Sequence, residues 1–124
     1  MIALATIAPV RPDELFRQRQ RIQDALAEGS VITVDNGVEV LAAVAAADAA
    51  YRAELLPYLF HHLATCQPRD VPQHSEAIVP AVDAAHADTF VVVLERRLAN
   101  LSVGQTTRVQ RVIAKARQAA KQMG

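Results

Sequence analysis

The stretch from Glu54 to Val82, ELLPYLFHHLATCQPRDVPQHSEAIVPAV, constrains the fold of this chain more than any other. Leu55, Leu56, Leu59, Leu63 and Cys66 recur at helical spacing, so one stripe of the segment faces a core. The run Gln67-Pro68-Arg69-Asp70-Val71-Pro72 then ends the pattern. Pro72 suits the first turn of a following helix, where its missing N–H costs nothing. That helix carries a second stripe at Ala77, Ile78, Ala81, Val82 and Ala85. Neither helix can bury its stripe alone, so the pair is expected to pack together and against neighbours. Pro57 and Pro80 fall inside the helical patterns, and each is expected to kink its helix or displace its start.

On these residues the segment resembles a HEAT repeat. In that family the first helix reads as an acidic residue, two leucines, a proline and further leucines. Glu54, Leu55, Leu56, Pro57, Leu59 and Leu63 match this pattern, and Asp70-Val71 matches the Asp/Val pair at the start of the second helix. The arginine common early in that helix is replaced by Gln73 and His74, which departs from the usual polar ladder between repeats. Weaker copies flank the unit: Leu26, Leu63 and Leu98 are spaced 37 and 35 residues apart (26 to 63, 63 to 98). Helix-pair repeats of roughly 33–47 residues build α-solenoids. The likeness is to HEAT/armadillo-like proteins, small bacterial ones among them. It implies a right-handed all-α solenoid of antiparallel helix pairs, about seven helices, with an orphan helix over 1–10 and repeats over 11–48, 49–86 and 87–124.

Composition agrees with helices packed closely. Hydrophobic residues make up 52% of the chain but aromatics only 4%, and alanine is abundant. The 13 basic and 13 acidic residues balance, so no global charge argues for a nucleic-acid or acidic partner. A single cysteine cannot form an internal disulfide, which fits a reducing cytoplasm. The longest uncharged apolar runs fall short of the roughly 18 residues a membrane span needs. No membrane association is expected.

Met1 to Ala8 is apolar almost throughout and reads as a helix whose partner is absent. Either the chain is the tail of a longer array or two copies pair there; solenoid ends normally carry a polar outer face, so pairing as a homodimer is the favoured expectation. Asp13 is expected to cap a helix running to Glu28 with stripe Leu15, Phe16, Ile22 and Leu26, terminated by Gly29. Ser30 opens another helix to about Ala47. Its Asn36-Gly37 would signal a hairpin between strands, but the alanine-rich continuation favours a helix, with Gly37 marking a close helix approach. Asp88 is expected to cap a helix with stripe Phe90, Val91, Leu94, Leu98 and Leu101. Ser102 and Gln105 form a capping box for a last helix with stripe Val109, Val112, Ile113, Ala116, Ala120 and Met123.

Three groupings bear on function. His61, His62, Cys66, His74 and His86 contain potential ligands, and His62 and Cys66 share a helix face four residues apart. No CxxC, HExxH or fourth ligand accompanies them, so His62, Cys66 and His74 are expected to form a polar cluster that staples the loop, His74 bonding the proline-loop backbone, with no metal and no cofactor. Cys66 as a nucleophile would need His62 as base and a third orienting group, which is not legible. Arg108, Arg111 and Lys115 share a face of the last helix, and no acid follows Glu95. HEAT-like DNA glycosylases hold the backbone of DNA with such basic helices, but their aromatic and acidic active-site set has no counterpart here. Arg17, Arg21, Arg52, Arg96 and Arg97 could line one side of the stack. The expectation is a non-enzymatic module for protein–protein interaction, with nucleic-acid binding as the alternative.

Overall fold

The structure, a computed structural model, describes residues 12–28 and 31–123. Seven α-helices follow one another: α1 Pro12–Arg17, α2 Arg19–Glu28, α3 Val31–Ala47, α4 Ala49–Thr65, α5 Val71–Ile78, α6 Ala84–Arg97 and α7 Val103–Met123. Short 3₁₀ turns at Pro68–Asp70, Val79–Ala81 and Leu98–Asn100 join the later ones. Among the described residues there is no strand, and they form an all-α arrangement. The expected orphan helix, its dimer contact, Gly29 and Ser30 lie outside the described residues.

Helix α3 is the hub. Its VITVDNGVEVLAAVAAA sequence puts Val38, Val40, Leu41, Ala42, Val44 and Ala45 in the core. A helix apolar on nearly every side must be surrounded, and α1, α2, α4 and α5 all pack on it. The hairpin suggested by Asn36-Gly37 is absent. Gly37 does mark a close approach: a Cβ there would sit 2.6 Å from Leu26 Cδ2 on α2. Gly37→Val, adding two further methyls to that Cβ, is therefore expected to cost about 1–3 kcal/mol by overpacking. Urea unfolding checks it, and Leu26→Ala should recover most of the loss by opening the space.

The packing order departs from simple pairing within the 54–82 unit. Helix α4 makes its largest contact with α3 and only a small one with α5. Helix α5 lies between α3 and α7, while α4 lies against α6 and α6 against α7. The stripes explain this. Leu55, Leu56, Leu59, Phe60 and Leu63 of α4 are all buried, as are Val71, Pro72, His74, Ser75 and Ile78 on the short α5. Fully burying a side chain of leucine size contributes about 1.5–3 kcal/mol, so each helix settles where its stripe meets most apolar surface.

Several local expectations are corrected. The helix expected from Asp13 to Glu28 is broken at Gln18. The Arg19 guanidinium donates to the Phe16 carbonyl (3.1 Å), which a continuous helix would use internally, and lies 4.0 Å over the Phe16 ring. Phe16 stacks in turn on Tyr51, centroids 4.0 Å apart. Asp13 sits inside the first turn of α1 and accepts a hydrogen bond from the Tyr51 hydroxyl. Helix α6 starts earlier than Asp88: Asp83 is its cap, accepting from the His86 N–H at 3.2 Å, and Asp88 is exposed within the helix. Ala85 accordingly belongs to α6 and is exposed. Pro57 lies on the exposed face of α4, which continues across it, whereas at Pro80 the α-helix gives way to a 3₁₀ turn. The capping box at α7 forms in both directions: Ser102 N–H to Gln105 Oε1 at 2.9 Å, Gln105 N–H to Ser102 Oγ at 3.2 Å.

Candidate functional site

Three helices bring a polar cluster together. His62 comes from the last turn of α4, His74 from the first turns of α5, and Asp35 from α3. His74 is 1% exposed and yet fully bonded: its Nε2 meets Asp35 Oδ1 at 2.6 Å, and its Nδ1 meets His62 Nε2 at 2.9 Å. A carboxylate can only accept, so Nε2 of His74 is the donor toward Asp35. With that proton on Nε2, the Nδ1 of His74 can accept from the His62 Nε2–H. His74 thus bonds two side chains, not the proline-loop backbone. The adjacent buried Ser75 hydroxyl takes the backbone role, donating to the Pro72 carbonyl at 2.9 Å.

Cys66 ends α4 and points to the same place. The donor atoms of His62, Cys66 and His74 lie within 4.8 Å of one another. A second grouping, Asp35, Asp70 and His74, meets the same limit on shared use of His74. Burial, and then the neighbouring His74, pushes His62 down to about 4 against the opposing pull of Asp70 and Asp35, so His62 is neutral at physiological pH. Burial pushes the Cys66 thiol up to about 11 despite Arg97 nearby. Nucleophilic cysteines are shifted the other way. His62 also lines an open cleft of about 150 Å³ with Leu26, Ala27, Tyr58, His61 and Thr65.

No family model, curated protein or solved structure matches the chain. The functional reading therefore rests on its own geometry.

The end of α4 is held from across the fold. Arg97, in the last turn of α6, donates from Nη1 to the Leu63 carbonyl at 3.0 Å and from Nη2 to the Cys66 carbonyl at 2.6 Å. A planar guanidinium presents two N–H groups in a fixed fork to the two carbonyls, a geometry that an ammonium does not preorganise. Arg97→Ala is expected to cost about 1.5–3 kcal/mol, with Arg97→Lys recovering only part. Thermal unfolding of both variants checks this. Arg52 does similar work, donating to the carbonyls of Ala45 (3.2 Å) and Ala46 (3.3 Å) while pairing with Asp83 at 3.4 Å. These arginines serve helix ends. Arg17, Arg21 and Arg96 are exposed.

On α7, Arg108 makes a two-pronged ion pair with Glu76 of α5, at 3.1 and 2.5 Å. The hydrogen bond and charge of Arg108, with smaller contributions from Lys115 and Arg111, hold Glu76 below its usual range against the opposing effect of burial. Arg117 pairs with Glu95 at 3.3 Å. The face expected to be basic therefore has one carboxylate, Glu76, set into it from α5, while Arg117 and Glu95 pair on the other side of the helix.

Asp35 is the residue that sequence reasoning passed over. It lies 39 positions before His74, in a helix otherwise read for its apolar content. The available signal was an acidic residue inside a valine-rich run.

Proposed function

We infer that this chain is a helical-repeat module whose role is to present a surface to a protein partner. The contact order supports the reading. Helices α3, α5 and α7 touch in succession, and α4 touches α6, as alternate helices do when helix pairs stack in two layers. Such stacks expose one helix face per repeat, and specificity comes from the side chains on it. The groove between α6 and α7 is the candidate contact, about 420 Å³ and lined by Ala87, Val91, Val92, Glu95, Arg117 and Ala120. Val92 is 43% exposed there, an apolar residue in an otherwise charged rim. The thiol chemistry of Cys66 runs against an enzymatic role for it.

The test compares partners retained by the full chain and by a Val92→Glu, Ala120→Glu variant of unchanged melting temperature. A partner that binds the purified wild type directly and is lost by the variant supports the reading. Turnover that disappears in Cys66→Ala, with folding intact, would replace it by an enzyme. Self-association is read by sedimentation equilibrium: removal of Met1–Val10 should lower the mass if the chain pairs there. The nucleic-acid reading predicts duplex affinity that falls steeply between about 50 and 200 mM salt and is lost in Arg108→Ala with Arg111→Ala. The pairing of Arg108 and Arg117 with carboxylates favours the protein-interaction reading over it.

A further inference from the structure

We propose that His62, Cys66 and His74 form a zinc site, with Asp35 as the carboxylate that orients His74 and a solvent molecule as the fourth ligand. The inference is independent of the surface reading above. It begins from the donor set. Two imidazoles and a thiol are the nitrogen and sulfur ligands that zinc selects, whereas magnesium and calcium prefer oxygen. Their donor atoms already lie within 4.8 Å of one another. Zinc bonds of about 2.0–2.3 Å place neighbouring donors roughly 3.3–3.8 Å apart. Side-chain rotations of about 1 Å complete the set, opening the 2.9 Å contact between His62 and His74 slightly and drawing Cys66 in.

The second observation is the hydrogen bond behind His74. A metal-bound histidine characteristically donates its other ring N–H to a carboxylate, which sets the tautomer and the ring plane. Asp35 does this at 2.6 Å, leaving the Nδ1 lone pair of His74 on the side of His62 and Cys66, where it meets His62 Nε2 at 2.9 Å. The sequence alone lacked this orienting group, because it comes from α3.

Binding is balanced as follows. The Cys66 thiol loses its proton to solvent and the thiolate bonds zinc; the His62 ring proton moves through solvent from Nε2 to Nδ1, so that Nε2 can ligate. Three protein ligands leave one position of the tetrahedron to solvent, and His62 borders an open cleft. The ion would tie α4 directly to α5, two helices that touch each other only slightly.

Zinc titrated into the chelator-treated full chain should bind one to one with a Kd below about 1 μM, and the melting temperature should rise with zinc concentration. Cobalt(II) in place of zinc should give a near-ultraviolet sulfur-to-metal charge-transfer band with tetrahedral visible bands. Cys66→Ser should abolish that band. His62→Gln should weaken binding by at least about 100-fold, and Asp35→Asn by about 10–100-fold with the cobalt spectrum retained. Far-UV circular dichroism in chelator establishes that each variant folds, and the wild-type cobalt spectrum tests the site without any variant. Absence of binding, a spectrum without the sulfur band, or affinity unchanged in Cys66→Ser overturns the proposal. So does binding that survives Cys66→Ser but is lost in Asp70→Asn, which would assign the metal to the carboxylate set around His74.

Discussion

Phe90→Ala should lower the unfolding free energy by about 3–5 kcal/mol, the range for deleting a buried phenylalanine side chain. Phe90 is 0% exposed on α6, and its ring lies 5.5 Å from that of Phe60 on α4. The neighbours can relax into the space only partly, because Leu59, Leu63 and Leu94 around this core are themselves fully buried. Domains of this size have about 5–15 kcal/mol in total, so the variant approaches the folding threshold. The expected fall in melting temperature is roughly 10–25 °C. Phe90→Leu, which keeps most of the volume, should cost about 1.5 kcal/mol or less. Urea unfolding followed by circular dichroism measures both. A loss under about 1 kcal/mol for Phe90→Ala would mean that α6 does not seat on α4 and α7 as described.

His74→Ala is expected to cost about 2–4 kcal/mol, measured in chelator so that no bound metal contributes. One part is the cavity left at a 1% exposed position. The other is the stranding of the Asp35 carboxylate and the His62 ring, each left without its partner in a poorly solvated place. The partition can be measured. Asp35→Ala alone should cost about 1–3 kcal/mol, because it leaves the His74 N–H buried and unbonded. The pair Asp35→Ala with His74→Leu should cost clearly less than the sum of its single changes, since both polar partners leave together. Additive losses would show that the hydrogen bond between α3 and α5 contributes little. By contrast, breaking the Arg108–Glu76 pair, whose side chains are 47% and 43% exposed, should change stability by about 0–1 kcal/mol.

Much of the secondary structure was legible. The α7 stripe of Val109, Val112, Ile113 and Ala116 is buried as its spacing required, and the Ser102–Gln105 box forms. Asn36-Gly37 resolved as helix, with Gly37 where α2 comes closest. The misplacements were local competitions between similar signals. Asp83 and Asp88 both suit a helix start, and the cap went to Asp83, which also holds His86 and Arg52. The break at Gln18 came from a side chain, Arg19, taking a carbonyl that periodicity assigns to the backbone.

His62 and Cys66 were identified as a pair because helical spacing of four residues is a local rule. His74 was placed near them because one proline loop separates the two helices. Asp35 and Arg97 were not legible as members of the site, since 39 residues part Asp35 from His74 and 31 part Arg97 from Cys66. The amino-acid sequence by itself determined which segments are helical, where α7 starts and much of the stripe that each helix must bury. These follow from propensity, capping and period, all settled within a turn or two of chain. Only the tertiary structure decided that α3 is the helix the others surround, that α4 prefers α3 to α5, and that Asp35 orients His74. Those outcomes depend on which buried surfaces fit one another, a property of the assembled helices that no single stretch of sequence carries.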